Sequence, residues 1–144
     1  MLLAAAFTLF SPLSESAELA FQQLSVFPTS APGSWQPTTP LAEGSDATFY
    51  GTTRRGGLSD LGTVFKVSPS GGLTTLLSFS GSNGQYPAGG LVLGKDGNFY
   101  GTTIGNNSTN FGTVFRVTPK GVLTTLFSFQ RTNGSTPNGN LVQD

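Results

Sequence analysis

Between residues 41 and 140, apolar and polar positions alternate in short runs, and Gly, Pro, Asn or Asp closes each run. Alternation with a period of two predicts strands that bury one face, and the punctuating residues predict the turns between them. Leu91-Val92-Leu93 is the first strand of one series. It ends at Lys95-Asp96-Gly97-Asn98, where Asp-Gly supplies the positive φ of a tight hairpin turn. Asn98 to Thr103 forms the second strand, a polar loop runs from Ile104 to Asn110, and Gly112 to Thr118 forms the third. Pro119-Lys120-Gly121 turns the chain into a fourth, Leu123 to Phe129. Strict alternation puts Leu123, Thr125, Phe127 and Phe129 on one face of that strand, and Thr113, Phe115 and Val117 on one face of the third.

The same series occurs twice. Residues 41–90 align with 91–140 without a gap, at a period of 50, and 25 of the 50 pairs are identical. Phe49-Tyr50-Gly51-Thr52-Thr53 returns as Phe99-Tyr100-Gly101-Thr102-Thr103, and Gly62-Thr63-Val64-Phe65 as Gly112-Thr113-Val114-Phe115. Leu73-Thr74-Thr75-Leu76-Leu77-Ser78-Phe79 returns as Leu123-Thr124-Thr125-Leu126-Phe127-Ser128-Phe129. Leu141-Val142 repeats Leu91-Val92, so residues 141–144 read as the start of a third unit. Residues 21–40 read as a degenerate partial unit, in which Phe27 and Pro37 loosely echo Phe79 and Pro87.

The expected fold class is all-β: β-propeller-like tandem repeats of about 50 residues, each a four-stranded antiparallel blade, in an incomplete array. A blade has two apolar faces and buries them only against neighbours. Two blades cannot close a ring. The outer faces, rich in Phe, Val and Leu, and the unpaired strand edges therefore invite self-association or further repeats in a longer chain. A β-solenoid is the competing architecture, but its coils are usually shorter than this unit.

Composition narrows the chemistry. Charged residues make up 10% of the chain, against about 25% in an ordinary domain, while 20 Gly and 9 Pro fit a turn-rich β-protein. A hydrophobic content of 36% at fixed places argues against disorder. Cysteine and histidine are absent, which excludes Cys/His zinc sites, Cys nucleophiles, Ser-His-Asp triads and disulfides. Seven basic and seven acidic residues give no net charge, and so no electrostatic footprint for nucleic acid or an anionic membrane. The apolar run at residues 1–10 is too short for a transmembrane helix. It suits a signal-peptide core but lacks a basic residue before it, so residues 1–20 read either as a signal peptide or as a clipped N-terminal segment.

The motif Leu91-Val92, Asp96-Gly97-Asn98-Phe99-Tyr100-Gly101-Thr102-Thr103, Gly112-Thr113-Val114-Phe115-Arg116-Val117, Pro119, Gly121, Leu126, Ser128-Phe129, Gly134 and Pro137 resembles the GloVer-type tandem repeat family. The likeness covers residues 41–144 well and 21–40 poorly. The first unit departs from it at Ala47, which replaces the turn glycine. The resemblance implies a bacterial, extracellular or surface-exposed repeat protein, with no particular ligand or reaction.

Each chemical motif has a structural alternative. Gly89 to Asp96 nearly spells a phosphate-binding loop, but Asp96 stands where the magnesium-binding hydroxyl belongs and no helix follows. Asp46 and Asp96 recur at the period; turn formation through their own backbone explains them better than calcium binding or acid catalysis. Tyr50 and Tyr100 suit core packing better than a sugar platform. The divergent polar loops are the best binding candidates, namely Arg54, Arg55 and Asp60 in one unit and Asn106, Asn107 and Asn110 in the other. No cofactor is expected. The leading reading is a non-catalytic extracellular or cell-surface scaffold that binds a glycan or protein through its loops. The rival is a fragment of a catalytic propeller, a polysaccharide lyase or hydrolase, whose active residues lie outside this chain.

Overall fold

The computed structural model describes residues 37, 39–106 and 108–143. The expectations for residues 1–20, and most of those for 21–40, lie outside the described residues. Two four-stranded antiparallel sheets are formed, each in sequential order. The first holds β1 (Ala42–Glu43), β2 (Phe49–Thr53), β3 (Thr63–Val67) and β4 (Leu73–Ser78). The second holds β5 (Val92–Leu93), β6 (Phe99–Thr103), β7 (Thr113–Val117) and β8 (Leu123–Ser128). The all-β fold and the four strands per unit are as the alternation and turn residues predict. The sheets stack in an open pair; the described residues close no barrel or ring.

The alternation inside Phe-Tyr-Gly-Thr-Thr explains how the units stack. Neighbouring strand residues point to opposite faces, so the Tyr and the Phe of each motif look in opposite directions. Tyr50 looks from the first sheet toward the second, and Phe99 looks back at it; their rings stack at 4.0 Å. Val64, Phe79, Leu91, Phe115 and Val117 complete the buried core between the sheets. Phe79 leaves the end of β4 and meets the edge of Phe115 at 5.4 Å. The motif glycine makes room for the neighbouring ring: a Cβ on Gly101 would lie 2.7 Å from Phe115 Cζ.

The fourth strand corrects the strict alternation. Phe115 pairs with Thr125, but Val114 pairs with Phe127, which leaves Leu126 as an extra residue. This β-bulge carries Phe127 to the face opposite Leu123 and Thr125, and Leu76 makes the same bulge in the first unit. Leu77 and Phe127 therefore do not share a face with Leu73 and Leu123. A second correction concerns the outer faces. On the first sheet Phe65 and Val67 are buried, whereas on the second sheet Leu126 and Phe127 are about half exposed, at 49% and 46%. The first sheet's outer face is covered at Phe65 and Val67 but exposes Leu41, at 46%.

Residues 79–88 lace the units together. The Tyr86 N–H donates to Leu61 O at 2.8 Å, while Tyr86 O accepts from Ile104 N at 3.1 Å. Pro87 bridges Thr103, as Pro37 bridges Thr53 one period upstream.

Candidate functional site

The recurring acids are built into turns. Asp96 Oδ1 accepts the backbone N–H of Asn98 two residues on, at 3.1 Å, and Asp46 Oδ1 accepts that of Thr48 at the same distance. Gly97 takes the positive φ (76°) that the hairpin requires; at the equivalent place Ala47 is forced to 58°. The Tyr100 hydroxyl donates to Asp96 Oδ2 at 2.9 Å, and Asn98 Nδ2 does so at 2.7 Å. The Asn98 amide, then its backbone N–H and the Tyr100 hydroxyl, hold the Asp96 carboxyl below its ordinary pKa. Asp46 is lowered chiefly by the Thr48 N–H. The two phenols move the other way, Tyr50 raised first by desolvation and Tyr100 first by its bond to Asp96.

Tyr50 is the core residue the sequence suggests, but Tyr100 is not. It stays partly exposed and lines a groove of about 440 Å³ with Val92, Gly94, Lys95, Asp96, Leu141 and Val142. The region that mimics a phosphate loop is here a short strand and a hairpin turn, without a helix.

The loop candidates are placed as follows. Arg55 pairs with Asp60 at 3.2 Å and lies over the ring of Tyr86, 4.7 Å from its centroid. Asp60 also accepts the Gly56 N–H at 2.8 Å. Arg54 is exposed and makes no ion pair among the described residues. In the second unit Asn106 Oδ1 accepts from the N–H groups of Ser108, Thr109 and Asn110, closing the loop on itself. Asn107 lies outside the described residues. Asn110 joins the two units: its Nδ2 donates to Gly81 O at 2.9 Å while its Oδ1 accepts from Gly112 N at the same distance. Four of these side chains, Arg55, Asp60, Asn106 and Asn110, thus bond within the protein. A cleft of about 420 Å³ between the units is lined by Gly81, Ser82, Thr109, Asn110, Thr113, Ser128 and Phe129.

Sequence reasoning missed the buried threonine pairs. Thr53 and Thr63 share a hydroxyl hydrogen bond at 2.7 Å, and Thr103 and Thr113 share one at 2.9 Å. Each pair also caps a backbone group, because the Thr63 and Thr113 N–H groups donate to the Thr53 and Thr103 hydroxyls. The signal was present in the repeated Thr-Thr and Gly-Thr dipeptides, but only strand register brings them together.

Fold and site define an all-β protein of stacked, repeated four-stranded units, laced by their connecting segments. The chain belongs to the Gloeobacter/Verrucomicrobia repeat family, whose model matches residues 9–144. The match extends upstream of the region in which the two internal units align. No curated protein matches the chain. Among the described residues there is no cluster of acids that could hold a metal ion, and no helix long and apolar enough to cross a membrane.

Proposed function

We propose that this chain is a non-catalytic repeat scaffold, acting outside the cell or on its surface as part of a propeller-like array, and that it binds a saccharide at the edge where its loops gather. The carrying observation is the cleft between units, lined by the polar side chains of Ser82, Thr109, Asn110, Thr113 and Ser128 together with the aromatic ring of Phe129. A sugar presents hydroxyls at its rim and C–H bonds on its faces, so it matches polar groups around an aromatic ring. That mixture favours a glycan over a protein partner, whose interface would centre on a larger apolar patch. The GloVer likeness supports the extracellular placement. The non-catalytic reading is supported by the recurring acids Asp46 and Asp96, each of which is engaged in its own turn by the backbone N–H two residues on.

Titration of the chain against a panel of oligosaccharides tests the reading. Binding is expected with at least one saccharide class, lost in Phe129→Ala and weakened in Thr109→Ala, whose side chain lies on an exposed loop. Absence of binding across the panel, or binding that survives Phe129→Ala, would overturn it.

A further inference from the structure

The dipeptide Asn-Gly stands at the same place in both units, as Asn83-Gly84 and as Asn133-Gly134. Each asparagine closes the turn after the fourth strand with its side-chain carbonyl. Asn83 Oδ1 accepts the Ser80 N–H at 2.8 Å and the Ser80 hydroxyl at 3.2 Å; Asn133 Oδ1 accepts the Gln130 N–H at 2.6 Å. Such donors polarise both carbonyls and favour the negative oxygen that attack on Cγ would create.

The units differ in the glycine that follows. Gly84 is buried against the second unit: a Cβ on it would lie 3.0 Å from Thr103 Cγ2 and 3.1 Å from Thr113 Oγ1. Its N–H donates to Gly81 O at 3.3 Å, and its carbonyl accepts from Gly81 N at 3.0 Å. Gly134 is exposed, and its N–H has no hydrogen-bond partner among the described residues. Its Cβ position meets the Phe129 ring at 3.5 Å.

We propose that Asn133 is a site of spontaneous deamidation, a self-modification that the fold permits in the second unit and blocks in the first. The Gly134 nitrogen gives its proton to solvent base and bonds to Asn133 Cγ. The Cγ–Nδ2 bond then breaks, and ammonia leaves with a proton taken from solvent. Water opens the resulting succinimide at either carbonyl, giving aspartate or isoaspartate. Glycine suits the step because, lacking Cβ, it leaves its nitrogen unshielded and its backbone free to rotate. In the first unit that rotation must first break the buried Gly84–Gly81 bonding, which slows the reaction about tenfold or more. The product places a negative charge beside Phe129 and, in isoaspartate, an extra main-chain methylene.

The test incubates the full chain in mildly alkaline buffer and follows both asparagines by brief tryptic digestion and tandem mass spectrometry. They fall in separate peptides, residues 67–95 and 132–144, and fragment ions distinguish Asn133 from Asn138 in the second. In the folded chain Asn133 is expected to lose its amide about tenfold or more faster than Asn83. In urea the two rates converge. Equal rates in the folded chain overturn the proposal, as does deamidation confined to Asn138. A rate ratio that persists unchanged in urea also overturns it, by assigning the difference to the flanking sequence. No ligand enters the test, so its outcome is separate from saccharide binding.

Discussion

The rings of Tyr50 and Phe99 stack with centroids 4.0 Å apart and planes inclined by 28°, one ring on each sheet. Because Tyr50 and Phe99 hold adjacent places in successive copies of one five-residue motif, each unit carries both halves of the contact on opposite faces of a strand. The motif is self-complementary by the pleat alone.

Truncating the two tyrosines should therefore have unequal effects. Tyr50→Ala opens a cavity between the sheets and is expected to cost about 3–5 kcal/mol, the range for large aromatic truncations in cores. Tyr100→Ala removes a partly exposed ring and is expected to cost about 1 kcal/mol. Urea unfolding midpoints of the two variants provide the comparison; equal losses would contradict the assignment of Tyr50 alone to the core.

The strained alanine offers a gain. Ala47 holds φ at 58° where the second unit has Gly97. A left-handed residue other than glycine costs about 1–2 kcal/mol, and glycine returns about 0.4–1 kcal/mol of that through unfolded-chain entropy. Ala47→Gly is thus expected to stabilise by about 0.5–1 kcal/mol, read as an upward shift of the unfolding midpoint.

The buried threonines should respond by role. Thr53→Val leaves the buried Thr63 N–H and hydroxyl without their shared partner and is expected to cost about 1–3 kcal/mol. Thr63→Val keeps its own backbone bond from being lost to solvent but deletes only one of these contacts, the bond to the Thr53 hydroxyl, so it should cost less. In the double variant the effects should fall short of additive, as expected for residues in direct contact.

Acid and alkali should act on the same staple from opposite sides. The Asp96 carboxyl is lowered by Asn98 and Tyr100, so its contribution is fully present above the unfolded value of about 4 and is lost as pH falls through the lowered value. The phenols of Tyr50 and Tyr100 are raised, so their contribution is present below about 10 and is lost as pH rises through the raised values. Asp96→Asn should flatten the acid limb of a stability–pH profile and reduce the alkaline limb, where Tyr100 contributes.

The loop ion pair is expected to matter less than the loop geometry. Arg55→Ala removes an exposed pair and should cost no more than about 0.5 kcal/mol. Asp60→Ala also removes the acceptor for Gly56 N–H and places Ala at a φ of 53°, so it should cost about 1–2 kcal/mol. Asp60→Asn, the residue type found at Asn110, should be nearly neutral by thermal unfolding.

The strands, the turns and the 50-residue unit were written in the sequence, because side-chain alternation and turn chemistry are local properties and the two copies repeat them. So were the turn roles of Asp46 and Asp96, which bond a backbone group only two residues away. What needed the tertiary structure was every relation set by register or stacking. The bulge at Leu126 depends on how β8 pairs with β7, and it moved Phe127 to the other face against the simple period. Identical motifs gave Tyr50 and Tyr100 different surroundings, since burial depends on the neighbouring sheet and not on the residue's own strand. The loop residues looked like free ligand groups, yet Arg55, Asp60, Asn106 and Asn110 meet partners four or more residues away. The cleft beside them exists only because two units stack, and no single strand or loop encodes it.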